Sequence, residues 1–281
     1  MASWRRIMGR QRLVGAALLL SACLQATPFE TDPSFVDLTS SELRKLRAQP
    51  APTGAFTFAA FGDTHDEYDD LERTVRIING TPGIEFNIIA GDMTDRGLLQ
   101  EFEWSGELYY ELNAPFLTVI GNHDHLSAGR EIYEEMYGPL QYSFEYGGLK
   151  FVMFDSNTLE NHAAPNRSWL LDQVRDRGKA RGVVLVTHHD YTAPDDLEGG
   201  TNRAFYDELL QEPGIVLAIH GHLNDYRLRM VHGVPVLQCA TYQNLRYHTL
   251  VTVDEEQITF QRCLFDSCEP VEPVAEEEVT P

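Results

Sequence analysis

The sequence predicts an α/β domain with a mixed, β-rich second half, on the strength of three features. Short apolar runs of strand length recur at residues 56–61, 86–90, 116–120, 183–187 and 215–219. Unbroken apolar runs are what strands covered on both faces require. Amphipathic stretches at 69–78 and 98–112 separate the first three runs, the alternation that builds strand–helix units. Beyond Gly221, further strand-like runs follow at 226–231, 234–239, 247–253 and 257–264.

From the N-terminus, residues 1–22 carry Arg5, Arg6, Arg10 and Arg12, no acid, and an apolar run at 13–20. That run is too short to span a bilayer and has the layout of an export signal. Its ending, Leu20-Ser21-Ala22-Cys23, resembles a bacterial lipobox. The resemblance implies cleavage before Cys23 and lipidation of that cysteine, giving a membrane-anchored lipoprotein on the periplasmic side or the cell surface. Two or three acyl chains anchor a protein stably where one does not. The plainer alternative is an ordinary signal peptide cut near Ala22 or Ala26, with Cys23 incidental.

Residues 23–54 read as a tether containing one short helix at 40–48, and 55–264 as the folded domain. Within the domain, helices are expected at 130–137, 166–176 and 202–211. The runs 142–146 and 150–155 flank Gly147-Gly148, a hairpin signal. Residues 265–281 read as an acidic, disordered tail. Cys263 and Cys268 are close enough to close a small loop, and Cys239, in an apolar stretch, reads as a buried free thiol.

The net charge of −21 argues against long nucleic acid as a partner, because such a surface repels polyanions. It does not argue against a small phosphate ester, since a metal site supplies its own positive charge. The oligomeric state is left open.

Polar clusters sit at five strand ends. They are Gly62-Asp63-Thr64-His65, Gly91-Asp92-Met93-Thr94-Asp95-Arg96, Gly121-Asn122-His123-Asp124-His125, His188-His189-Asp190 and His220-Gly221-His222-Leu223-Asn224. Ligands of open α/β sheets collect beyond the carboxyl ends of the strands, so the clusters can converge on one site. Asp63 and His65, two apart, project the same way from an extended segment. Glycine before a cluster lets the chain turn sharply off its strand. A Gly-Asp after a strand is by itself an ordinary turn, and a lone histidine there an ordinary surface residue. Five such clusters in order are not explained by independent turns. Carboxylate, imidazole and amide oxygen together suit divalent Mn, Fe, Zn, Ni or Co.

This series resembles the calcineurin-like metallophosphoesterase superfamily, whose pattern is D-x-H, G-D-x-x-D, G-N-H-[DE], H and G-H-x-H. The resemblance spans residues 55 to about 260 and implies a two-sheet β-sandwich flanked by helices, in four α/β/β/α layers. The segment 142–151 also resembles members close to class III cyclic-nucleotide phosphodiesterases. What the resemblance implies is hydrolysis of a phosphodiester or phosphomonoester at a dinuclear centre, with a bridging hydroxide as nucleophile. Asp63 and His65 would hold one metal, Asp92 both, and Asn122, His188 and His222 the second. His123 would be the catalytic histidine, Asp95 its orienting partner, and Arg96 a phosphate ligand or a structural ion pair. For His125 and His189, a role beside the site competes with plain surface exposure.

One departure matters. The last motif ends in Asn224 where the family has a second histidine. Asn224 would then supply an oxygen ligand, or His220 would shift in. Otherwise the first site is weakened, leaving a non-catalytic or weakly active surface protein. The strand end at Ile219 and Tyr226 downstream favour Asn224. His65, and Asp95 where purple acid phosphatases carry tyrosine, argue against that branch.

Overall fold

Each long apolar run forms a strand whose side chains alternate between two cores, and that alternation stacks the molecule in layers. The computed structural model describes residues 31–159, 165–193, 200–239, 242 and 247–275. Its elements run α1 (Leu38–Ala48), β1 (Phe56–Phe61), α2 (Tyr68–Gly80), β2 (Ile84–Ile89), α3 (Leu99–Tyr110), β3 (Phe116–Thr118) and α4 (Gly129–Met136). The hairpin β4 (Tyr142–Tyr146) and β5 (Leu149–Phe154) follows, then α5 (Arg167–Arg175), β6 (Gly182–Thr187), α6 (Gly200–Leu210) and β7 (Ile215–His220). The chain continues with β8 (Arg227–Val231), β9 (Val234–Gln238), β10 (Tyr247–Val253), β11 (Ile258–Leu264), β12 (Ser267–Val271) and β13 (Val274–Ala275).

One sheet has the order β12-β11-β10-β1-β2-β3 and the other β13-β8-β9-β7-β6-β5-β4. Strands β1, β2 and β3 are parallel, as are β5, β6, β7 and β9. Phe58, Ala60 and Phe86 meet Phe151, Val184 and Leu217 in the core between the sheets. The Phe86 and Phe151 rings sit edge to face across it, 5.3 Å apart. On the outer side of the first sheet, Ala59, Phe61 and Ile89 pack against Leu71 and Val75 of α2, Phe102 of α3 and Ile132 of α4. On the outer side of the second, Val183 and Leu185 pack against Leu170 of α5 and Leu209 of α6. This is the expected helix-flanked two-sheet sandwich.

Two expectations are adjusted and a third is met. From Thr31 onward the segment read as a tether is packed: Leu38 and Leu46 of α1 are buried, and the Thr31 hydroxyl donates to Glu135. A narrow leucine stripe in a polar stretch is weak in sequence, and burial decides it. The tail is ordered as β12 and β13, although their residues are largely exposed. Cys263 and Cys268 form a disulfide across the β11–β12 hairpin, while Cys239 is buried and free. Residues 1–30, with the export signal and Cys23, and residues 276–281 lie outside the described residues.

Candidate metal centre

The carboxyl ends of both parallel blocks meet, and hydrogen bonds tie them together. The Asp63 amide donates to Gly91 O (2.9 Å) and the His65 amide to Asp92 O (3.0 Å), joining the ends of β1 and β2. The His123 amide, beyond β3, donates to Asp92 Oδ1 (2.9 Å). Across the sandwich, the His222 amide donates to Asp63 Oδ1 (2.8 Å), and His188 Nδ1 lies 2.7 Å from Ala90 O. A carbonyl only accepts, so the His188 proton sits on Nδ1 there and Nε2 faces the pocket. Asn122 Oδ1 is 2.9 Å from His188 Nε2 and 3.1 Å from His222 Nδ1.

Two ligand groups result. Donor atoms of Asp63, Asp92 and His188 lie within 4.8 Å of one another, and so do those of His65, Asp92 and His123. Asp92 belongs to both. The grouping departs from expectation in one respect: Asp63 gathers with His188, while His65 gathers with His123, the rings of the latter two being 4.7 Å apart.

The backbone here is unusual. Asp63, His65, Asp92 and His222 all have positive φ, at 51°, 44°, 51° and 76°. Such conformations are sparse for residues other than glycine and gather at functional sites. The glycines do something other than the sequence reading assigned to all of them. A Cβ on Gly121 would lie 2.1 Å from Asp92 Oδ1, and one on Gly221 would lie 2.4 Å from Asp63 Oδ2. At these two positions glycine admits a carboxylate rather than a turn.

The electrostatics of the pocket are those of buried acids seeking a cation. Burial raises the Asp63 carboxyl well above the ordinary range; the His188 charge opposes this and Asp92 adds to it. For Asp92 burial also acts upward, but the charge and hydrogen bond of His188, then His65 and His123, outweigh it and hold the carboxyl low. His188 is held high in turn, burial acting downward but overcome by Asp92 and Asp63. Burial, then His188, pushes His222 down to about 4, so it is a neutral ligand at pH 7. His65 Nδ1 is buried without a hydrogen-bond partner among the described residues. An orphaned imidazole nitrogen beside shared carboxylates fits divalent cations.

At the edge of the pocket, His123 is partly exposed and Arg96 is 73% exposed, its Nε 3.3 Å from Asp95 Oδ2. Asn224 lies exposed beyond β7. His220 is buried and turned away, its Nδ1 2.8 Å from the Thr187 hydroxyl. Plain surface exposure is wrong for both remaining histidines. His189 is buried with its ring 4.1 Å from that of His222, and buried His125 pairs with Asp155, Nε2 to Oδ2 3.3 Å.

The sequence reading missed three supports. Asp124 is fully buried, accepting from the Thr94 amide and hydroxyl and from the Gly121 amide, each at 2.9 Å. It thereby pins the turn that carries Asn122 and His123. Asp155-Ser156-Asn157, at the end of β5, forms a sixth polar strand end of the same kind. Asn157 Nδ2 donates to Ile120 O (3.1 Å), and Ser156 Oγ accepts from the His189 amide (3.1 Å). Buried Asp190 pairs with Arg229 of β8 at 2.6 Å. The sixth strand end was visible in the sequence; the Arg229 partnership was not.

A search of curated proteins found no match. Among solved structures, GAP50, the anchor in the inner membrane complex of Plasmodium, superposes with a TM-score of 0.58 at 12% identity, over 80% of this chain and 91% of that one. The purple acid phosphatase PPD1 from yellow lupin, Lupinus luteus, gives 0.57 at 12% identity over 80% of this chain. The match spans only 54% of the lupin enzyme's length. At such identities these likenesses speak for the fold alone. The family model for calcineurin-like phosphoesterases matches residues 56–226, from β1 to the loop before β8 and through all five polar strand ends, and the chain belongs to that family.

Proposed function

We propose that the protein hydrolyses a small phosphate ester at a centre of two divalent cations. Family membership supports hydrolase activity on phosphate esters. The observation that carries the dinuclear reading is that Asp92 clusters with Asp63 and His188 and also with His65. His123, which shares the latter cluster, has its Nδ1 on the Asp95 carbonyl and is read as the proton donor rather than a ligand. Asp63, His65, Asp92, Asn122, His188 and His222 are the proposed ligands. The cations, drawn from Mn, Fe, Zn, Ni or Co, would supply charge against the phosphoryl oxygens and acidify an attacking water.

The chain's own residues do the rest. His123, with its Nδ1 proton on the Asp95 carbonyl, has Nε2 left to give a proton to the departing ester oxygen. Arg96, long and exposed, binds a phosphate oxygen as substrate enters. A diester is favoured by the resemblance of residues 142–151. Asn224 stands at the family histidine's position, and with His220 committed to Thr187 it is the remaining donor for the first site. An amide oxygen is a poorer donor than imidazole for these cations and makes that site the weaker one, which supports the second reading, a weakly active or non-catalytic surface protein. We propose also that export and lipidation at Cys23 hold the domain at a membrane; Cys23→Ala should then move the protein to the soluble fraction. Among the described residues no helix is long and apolar enough to cross a membrane.

The test is turnover of an aryl phosphodiester by the purified protein with Mn²⁺, with metal content measured on the same sample. Asp92→Asn should lose both metal and turnover. A metal-replete but inert wild type would favour the second reading, and a metal-replete, fully active Asp92→Asn would end the dinuclear one.

A further inference from the structure

Away from this centre, three neighbouring strands bring a histidine and two cysteines into one row. In the antiparallel register His248 of β10 faces Cys263 of β11, and Cys263 faces Cys268 of β12. Residues directly opposite share a face of the sheet. Their donor atoms lie within 4.8 Å of one another. His248 is 1% exposed, and neither ring nitrogen has a hydrogen-bond partner among the described residues. A disulfide offers an imidazole no useful acceptor, so it leaves the histidine unexplained. Buried polar groups without partners are rare because water is surrendered with nothing in return.

We propose that His248, Cys263 and Cys268 form a redox-gated site for a thiophilic divalent cation such as zinc, closed as the disulfide and open as the dithiol. A tetrahedral zinc has bonds of about 2.3 Å to sulfur and about 2.0 Å to nitrogen, which sets its ligands roughly 3.3–3.8 Å apart. Breaking the sulfur–sulfur bond frees the two sulfurs to move apart to that spacing, with the histidine donor already within 4.8 Å of both. Four residues separate the two cysteines across a hairpin turn, a C-x4-C spacing usual for zinc ligands. Cys268 is exposed, so it is the sulfur a reductant reaches and the side from which a water completes the fourth position.

The opening step is thiol–disulfide exchange with a dithiol donor. A donor thiolate attacks Cys268 Sγ and expels Cys263 as thiolate; the second donor thiol then attacks the mixed disulfide. Two electrons and two protons pass to the protein, and the donor leaves as its own disulfide. Cation binding afterwards displaces the two thiol protons, while burial keeps His248 neutral and available as a ligand.

The full-length chain, reduced with dithiothreitol and freed of it anaerobically, is titrated with Co²⁺ and followed for thiolate-to-cobalt charge-transfer absorption. No cysteine is among the proposed ligands of the phosphoesterase centre, so cobalt held there is silent in that band. The reduced protein should show the band and the oxidised protein should not. Cys239→Ser, which removes the other described thiol, should keep the band, and Cys268→Ser, at an exposed position, should lose it. No band in a reduced chain that retains its circular dichroism, or a band that survives Cys268→Ser, overturns the proposal.

Discussion

The ring of His123 is held by the main chain of Asp95 rather than by its carboxylate: Nδ1 lies 2.8 Å from the Asp95 carbonyl and 3.8 Å from the nearer carboxylate oxygen. A carbonyl cannot titrate and cannot be removed by changing the side chain. His123→Ala should therefore keep metal content but lower turnover by roughly 10²–10⁴-fold, the worth of a positioned proton donor. Asp95→Asn should cost only about tenfold, since the orienting bond survives. Steady-state kinetics beside metal analysis reads both. Equal losses would mean that the carboxylate orients the ring.

Gly121 has Asp92 where its side chain would be. Gly121→Ala should push the shared carboxylate aside, destabilising the fold by about 1–3 kcal/mol and lowering metal content. Thermal melts and elemental analysis give the two readouts. Unchanged metal content would show that the pocket yields without cost.

Asp190 is buried against Arg229, whose own side chain is mostly buried. Arg229→Met would strand that charge, and roughly 3–5 kcal/mol of stability should go with it. Arg229→Met with Asp190→Asn together should recover part of the loss. Urea denaturation measures it, and a single variant as stable as wild type would refute the pairing's importance.

Stability without metal should depend on pH through His188. Its folded pKa is raised above the ordinary 6.5, so its contribution is complete below 6.5 and is lost as pH rises beyond it. The raised Asp63 carboxyl works in the same direction: its contribution is present below 3.8 and is lost as pH rises through its raised folded value. Asp92, held low, adds stability above 3.8 and loses it in acid. Protein stripped with a chelator should thus melt lower at pH 9 than at pH 6. With Mn²⁺ bound, His188 is already neutral and the alkaline loss should shrink. Identical pH profiles with and without metal would contradict this account.

Much of the fold was legible because strands buried on both faces announce themselves as apolar runs; β1, β4 and β10 have the bounds read from the sequence. The pocket was legible because its residues follow those runs at short, fixed distances. Helix α1 was only partly legible, since its burial rests on a few leucines whose partners lie far along the chain.

What the sequence determined by itself is which chemistry is available: the carboxylates, imidazoles and amide waiting at the strand ends, and the family they mark. Only the tertiary structure decided how they are used. It turned His220 toward Thr187, left Asn224 in solvent, gave a carbonyl the task of holding His123, and set a cystine against the buried His248. Local periodicity reports which face of an element is buried. It carries no record of which atom, contributed from a hundred residues away, will meet that face.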